Sequence, residues 1–152
     1  MINNFNTVTI KETGEVKPKT AADQIMVIGE LKNGAAFSIH YRGGLSKGTN
    51  FLWEINGTEG DIQVTGNLGH GQFAQLTIMG ARREEKTLAK LDTPLELIAG
   101  LPESMLARNV ANLYKSIAHD IRNNTHTTPS FSDSLELFKL LQAIEASAAA
   151  AS

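Results

Sequence analysis

Along this chain the spacing of apolar residues changes once, at about Asp92, and that change restricts the fold more than any single motif does. Before it, apolar positions alternate with others in short runs broken by Gly, Asn and Asp, as in antiparallel strands joined by tight turns. After it, they recur every three or four residues, as on one side of a helix. The predicted fold is α+β: a large, mostly antiparallel β-sheet of six or seven strands with two C-terminal helices packed on one face. Residues 1–152 read as a single domain, strand-rich over 1–92 and helical over 93–152, with no internal repeat or linker. A chain of that length can enclose a core without a staple.

The strands begin with Phe5 to Ile10, where Thr7, Val8, Thr9 and Ile10 are β-branched, and Thr13-Gly14 supplies a turn before Glu15-Val16. Gln24 to Lys32 is apolar on both sides, with Ile25, Val27 and Leu31 against Met26 and Ile28, which implies cover on both faces. Asn33-Gly34 predicts a type I′ hairpin, because both central positions of that turn need positive φ. The returning strand, Ala35 to Tyr41, places Phe37, Ile39 and Tyr41 on one face and Ala36, Ser38 and His40 on the other. A loop over residues 42–50 leads to Phe51, Trp53 and Ile55, which share a face, and Trp53 is expected in the core. Asp61 to Thr65 pairs back across the Asn56 to Gly60 turn, and Phe73 to Met79 and Lys86 to Leu91 follow.

Pro102 is predicted at the first position of a helix running to about Asn123, where its missing N–H costs nothing. Leu106, Val110, Leu113, Ile117 and Ile121 form that helix's apolar stripe. Ser130 with Asp133 three residues later resembles a capping box for a final helix, whose stripe is Leu137, Leu141, Ile144 and Ala148. Two helices cover only one face of a broad sheet, and Met26, Ile28 and Leu52 are assigned to the other. A sheet face left open in this way predicts a homo-oligomer formed through it.

The net charge of −2, from 14 basic and 16 acidic residues scattered along the chain, provides no basic face for nucleic acid. With no cysteine there is no disulfide, thiolate chemistry or Cys-based zinc site, which suits a reducing compartment. No apolar run approaches the roughly 20 residues a membrane helix needs, and the N-terminus lacks a signal core, so no membrane partner is expected and the cytoplasm is the expected location. Asn56-Gly57-Thr58 and Asn123-Asn124-Thr125 fit the glycosylation pattern, which matters only in a secreted chain. The Gly-rich stretches Gly43-Gly44 and Gly66 to Gly71 lead from strand to strand and lack the dinucleotide order of glycines, so they read as turns. The four histidines, His40, His70, His119 and His126, show no metal-ligand spacing. The substrate-side candidates are His40, Tyr41, Arg42 and Lys47, at a strand end and in the loop after it, where Arg42 is able to fork to a carboxylate or to vicinal hydroxyls.

Trp53-Glu54-Ile55-Asn56-Gly57-Thr58-Glu59-Gly60-Asp61-Ile62 resembles the W-E-I-x-G-T-x-G-x-[LI] segment in the C-terminal domain of the Gfo/Idh/MocA family, two-domain NAD(P)-dependent oxidoreductases of sugars, inositols and related polyols. Thr13-Gly14-Glu15-Val16 with Asp23-Gln24, Asn33-Gly34-Ala35 and His40-x-Arg42-Gly43-Gly44 resemble earlier parts of that domain, and Pro129 to Glu136 resembles its final helix. Within the family the subgroup that includes the yeast galactose-regulon repressor is nearest in flavour. The resemblance implies a substrate-side and oligomerisation domain without its Rossmann half. The glycine fingerprint, the catalytic Lys of a Glu-Lys-Pro segment, and the Asp and His of a catalytic helix would then lie upstream of Met1. It implies no catalytic residue, cofactor-binding residue or metal ligand in this chain. NAD or NADP and a sugar or polyol would belong to the full-length parent, and the piece alone would be inactive. A galactose-repressor type of regulator and a stand-alone dimerisation module are the alternatives.

Overall fold

The computed structural model describes residues 1 and 5–150. The elements run β1 (Thr7–Thr9), β2 (Val16–Pro18), β3 (Gln24–Glu30), β4 (Ala36–Arg42), β5 (Phe51–Asn56), β6 (Gly60–Gly66), β7 (Leu76–Arg82), β8 (Ala89–Lys90), α1 (Leu95–Ile98), α2 (Met105–Asn123) and α3 (Phe131–Ala150). The α+β class and the antiparallel pairing match the sequence expectation, but the single six- or seven-stranded sheet does not form. The strands divide into β1–β2, β3–β4 and the four-stranded β5-β6-β7-β8. Alternation in a sequence fixes which side chains share a face; which strands become neighbours depends on non-local ladder bonds that it does not encode.

The chain forms two compact units, one of residues 1–44 with 130–152 and one of residues 45–129. In the first, β1 and β2 pair with Thr7 opposite Pro18 and Thr9 opposite Val16 around the predicted Thr13-Gly14 turn. After β2 the chain turns at a corner held by the Lys19–Asp23 ion pair at 2.5 Å and by the Asp23 carboxylate accepting from the Phe5 N–H at 3.0 Å. The β3–β4 hairpin is in register from Gln24 opposite Arg42 to Glu30 opposite Ala36. Its turn is not the two-residue type I′ expected. Gly34 N–H donates to Leu31 O, Leu31 N–H donates to Ala35 O, and only Gly34 carries positive φ, at 86°. The loop therefore has three residues, with Asn33 Oδ1 accepting from Ala35 N–H at 3.2 Å to support it.

α3 begins where the sequence places its cap. Ser130 N–H and Oγ–H both donate to Asp133 Oδ2 at 2.7 Å, and Asp133 N–H returns to Ser130 Oγ at 3.4 Å. This reciprocal arrangement satisfies donors that the first helical turn leaves unpaired.

In the second unit, β6 pairs with β5 from Asn56 opposite Asp61 to Phe51 opposite Gly66, and with β7 from Gly60 opposite Arg82 to Gly66 opposite Leu76. β5 forms one edge of this sheet, and two-residue β8 covers part of the other. α2 starts at Met105, three residues after the position predicted from Pro102. The Arg108 guanidinium donates to the carbonyls of Pro102 and Glu103, at 3.0 and 2.9 Å, and holds those residues outside the helix. The one-turn α1, between Pro94 and Gly100, is too short to show a periodicity and was not expected.

The two helices expected to cover one face of the sheet bury no side chain. Leu106, Val110, Leu113 and Ile121 of the α2 stripe are exposed, as are Leu137 and Leu141 of α3. Among the described residues, Ala74 is the only buried apolar side chain, seated with Phe51 and Leu76 over Gly66.

Candidate functional site

The register of the four-stranded sheet separates two unlike faces. One carries Phe51, Trp53, Ile55, Ile62, Val64, Leu76 and Ile78, with Arg82 at its end; the other carries Glu54, Asn56, Asp61, Gln63, Thr65 and Thr77, with Leu52, Met79 and Ala81 among them. The polar face is knitted across its strands, Gln63 Nε2 donating to Glu54 Oε1 at 2.9 Å and Asn56 Nδ2 to Asp61 Oδ1 at 3.0 Å. Groups paired in this way are content in water. Leu52, assigned by the sequence to an open apolar face, instead stands among these polar neighbours. Both faces are largely exposed, and on the apolar one Trp53, expected in the core, is 57% exposed. Exposed Trp53, Ile55, Ile62 and Ile78, with half-buried Phe51 and Val64 beside them, form an apolar surface of the kind that marks association.

The β3–β4 hairpin has a second open face, where Met26 and Ile28 lie opposite His40 and Ser38. Ile28 is 85% exposed, in agreement with the expectation that Met26 and Ile28 point away from a core. Of the four substrate-side candidates, the structure places His40 and Arg42 on this face, with His40 Nε2 2.8 Å from Gln24 Oε1. Tyr41 falls on the reverse side of the same strand, because successive strand residues alternate. Lys47 belongs to the other unit, exposed in the loop that precedes β5. His40 and Arg42 are thus brought to one surface and Tyr41 is not.

The loop around Lys47 is organised by a residue the sequence reading passed over. Asn50 Oδ1 accepts from Ser46 N–H at 2.7 Å and from its hydroxyl at 3.3 Å, while Asn50 Nδ2 donates to the carbonyls of Ser46, Gly48 and Asn67. Asn67 Oδ1 in turn accepts from Gln75 N–H at 3.1 Å, so the loops before β5 and before β7 share one clasp. Nothing in sequence spacing reveals it beyond an Asn at a loop end. Asn50→Ala is expected to cost about 2 kcal/mol, since several backbone groups lose their partner at once. Chemical denaturation checks this, with an unchanged midpoint as the contrary result.

A second cluster closes α2. Asn124 adopts the left-handed conformation, with φ 50° and ψ 47°, and the Asp120 carboxylate accepts from Thr125 Oγ1, Thr127 N–H and Oγ1, and Thr128 N–H at 2.7 to 3.1 Å. Thr128 Oγ1 is buried beside it without reaching hydrogen-bond geometry. The Thr128 hydroxyl, near the carboxylate though outside hydrogen-bond geometry, and the bonded Thr125 hydroxyl hold the Asp120 carboxyl far below the usual carboxylate range; desolvation opposes them, and the Thr127 and Thr128 amides lower it further. Asp133 is lowered by the Ser130 amide and hydroxyl.

Depressed carboxyls stabilise the fold fully above their unfolded pKa of about 3.9, and the contribution is lost as pH falls through the folded value. The thermal midpoint is therefore expected to be flat between about pH 5 and 7 and to fall below about pH 4. Asp120→Asn is expected to lie lower at neutral pH and to fall less steeply in acid. A variant curve parallel to the parent's would refute the assignment.

The chain is an α+β protein with antiparallel sheets and exposed apolar side chains. Comparison with known families gives that class a particular likeness: residues 2–66 match the family model of the Gal80p C-terminal domain, which has the Gfo/Idh/MocA type of C-terminal fold and agrees with the resemblance carried by Trp53 to Ile62. The match ends at Gly66, the last residue of β6, so β7, β8 and the three helices lie outside it. No curated protein and no solved structure gives a match. Among the described residues, no group of three or more His, Asp or Glu gathers to hold a metal ion, and no helix is long and apolar enough to cross a membrane.

Proposed function

We propose that this chain is the C-terminal, substrate-side and oligomerisation domain of an NAD(P)-dependent sugar or polyol oxidoreductase, inactive by itself and working in the cytoplasm. The observation that carries the reading is the match of residues 2–66 to the Gal80p C-terminal domain, reinforced by the W-E-I-x-G-T-x-G likeness of the β5–β6 hairpin. Electron transfer is assigned to a nucleotide-binding half holding NAD or NADP, with the catalytic Lys, Asp and His that the resemblance places upstream. His40 and Arg42 suit the edge of a site for a hydroxylated ligand, through a ring N–H and a guanidinium fork. The apolar sheet face suits a second copy of the chain: exposed Trp53, Ile55, Ile62 and Ile78 favour being covered, and closed twofold pairs are the commonest way to cover an identical patch.

The description of the matching family also favours a second reading, a non-catalytic regulator of the galactose-repressor type in which the same sheet supports self-association. The two readings part on the preceding half of the parent. An enzyme needs the catalytic Lys there, and a regulator does not. For the isolated chain, light scattering at micromolar concentration is expected to give a dimer or larger closed species, and NAD(P)H titration is expected to leave cofactor fluorescence unchanged. A clean monomer would remove the oligomerisation role, and tight cofactor binding would overturn the division of labour.

A further inference from the structure

The chain contains two Asn-Gly pairs, Asn33-Gly34 and Asn56-Gly57, and the structure treats them differently. We infer that Asn33 is a site of spontaneous deamidation, giving aspartate and isoaspartate in the β3–β4 loop, and that Asn56 is protected from the same reaction by its partners. In this reaction the backbone nitrogen of the following glycine loses its proton to water or hydroxide and bonds to the Asn Cγ. The Cγ–Nδ2 bond breaks and the nitrogen departs as ammonia, leaving a five-membered succinimide. One water then opens the ring at either carbonyl, so the balance is one water consumed and one ammonia released, with no redox partner. Glycine favours the closure because it lacks a Cβ that would crowd the attacking nitrogen.

Asn33 and Gly34 are both exposed, in the loop of a two-stranded hairpin. Such a hairpin is marginal in water, so its turn opens locally at small cost. Opening releases Gly34 N–H from Leu31 O, the one hydrogen bond that restrains the attacking nitrogen. Asn33 Oδ1 already accepts from Ala35 N–H, which draws electron density from Cγ and makes it a better target.

At Asn56 the leaving nitrogen is tied down, Nδ2 donating to the Asp61 carboxylate at 3.0 Å. The residue is in register with Asp61 at the end of a strand pair, Gly57 N–H donates to Gly60 O at 2.9 Å, and β6 is paired on both sides. Ring closure there requires several bonds to break together.

Once formed, isoaspartate adds a methylene to the main chain between Leu31 and Ala35. The three-residue turn then no longer matches the register that sets Met26 opposite His40.

The test is incubation of the full chain at mildly alkaline pH, followed by peptide mapping that separates aspartyl from isoaspartyl products at each Asn-Gly pair. Conversion at Asn33 is expected to be faster than at Asn56 by roughly tenfold or more. The same incubation in denaturant should bring the two rates together, because structure sets the difference. Asn33→Gln, whose longer side chain disfavours the five-membered ring, should abolish isoaspartate at position 33 and leave the Asn56 rate unchanged. Equal rates in the folded chain, faster reaction at Asn56, or a difference that persists in denaturant would overturn the assignment.

Discussion

Gly60→Ala is expected to destabilise the four-stranded sheet by about 3 kcal/mol or more. Gly60 opens β6 with φ 154°, a backbone conformation that L-residues rarely adopt, and a Cβ there would collide with the carbonyl oxygen of Ala81 and crowd the Arg82 backbone. Those are main-chain atoms in the central β6–β7 ladder, so no side chain can swing aside. The turn is also pinned from outside. Gly57 N–H donates to Gly60 O, Arg83 N–H donates to Glu59 O, and the Arg83 guanidinium donates to Thr58 O, all between 2.9 and 3.1 Å. Thermal unfolding followed by circular dichroism provides the measurement. Gly57→Ala, which has no positive φ to relieve, makes a useful comparison and should cost less. Equal losses at the two glycines would count against the backbone explanation.

Trp53→Glu is expected to abolish self-association while leaving the folded chain close to its parent in stability. Trp53 stands opposite Val64 on the open apolar face and is more than half exposed, so a polar replacement removes little packing. If that face pairs with a second copy, each partner would bring a carboxylate into an apolar surface, where desolvating it is costly. Loss of an aromatic anchor at a desolvated centre costs about 2 kcal/mol or more per contact, a weakening of at least about thirtyfold. As the only tryptophan in the chain, Trp53 also provides a probe. Its emission should move to longer wavelength on dilution of the parent, as covered indole meets water. An unchanged spectrum across the concentration range, or a Trp53→Glu variant that sediments like the parent, would sink the assignment of this face.

Local chemistry was legible in the sequence and long-range pairing was not. The Ser130–Asp133 cap could be read directly because a capping box depends on residues three apart. The Thr13-Gly14 turn and the β5–β6 hairpin followed from alternation and turn residues, whereas the strands expected over Phe73 to Met79 and Lys86 to Leu91 form at Leu76–Arg82 and Ala89–Lys90. The split into three sheets could not be read, since nothing in the alternation of β2, β3, β4 or β5 says whether consecutive hairpins join edge to edge. Trp53 was misjudged for a related reason. Its apolar face was identified correctly, but burial of a face depends on what another element supplies.

Among the substrate-side candidates, His40 and Arg42 share a surface as strand residues two apart must, and Tyr41 is excluded from it by the same rule. The Asn50 clasp and the ring of threonines around Asp120 escaped notice because side-chain networks in loops leave no periodic trace.

The two margins of the four-stranded sheet differ in a way that bears on aggregation. β5 offers an uninterrupted row of backbone donors and acceptors with no Pro, Lys or bulge to discourage another strand from adding. The far margin is blunted by the two-residue β8, whose Lys90 is paired with Asp92 at 3.0 Å. Among the described residues, β5 is therefore the more receptive border of this four-stranded sheet, the side on which a further strand would add.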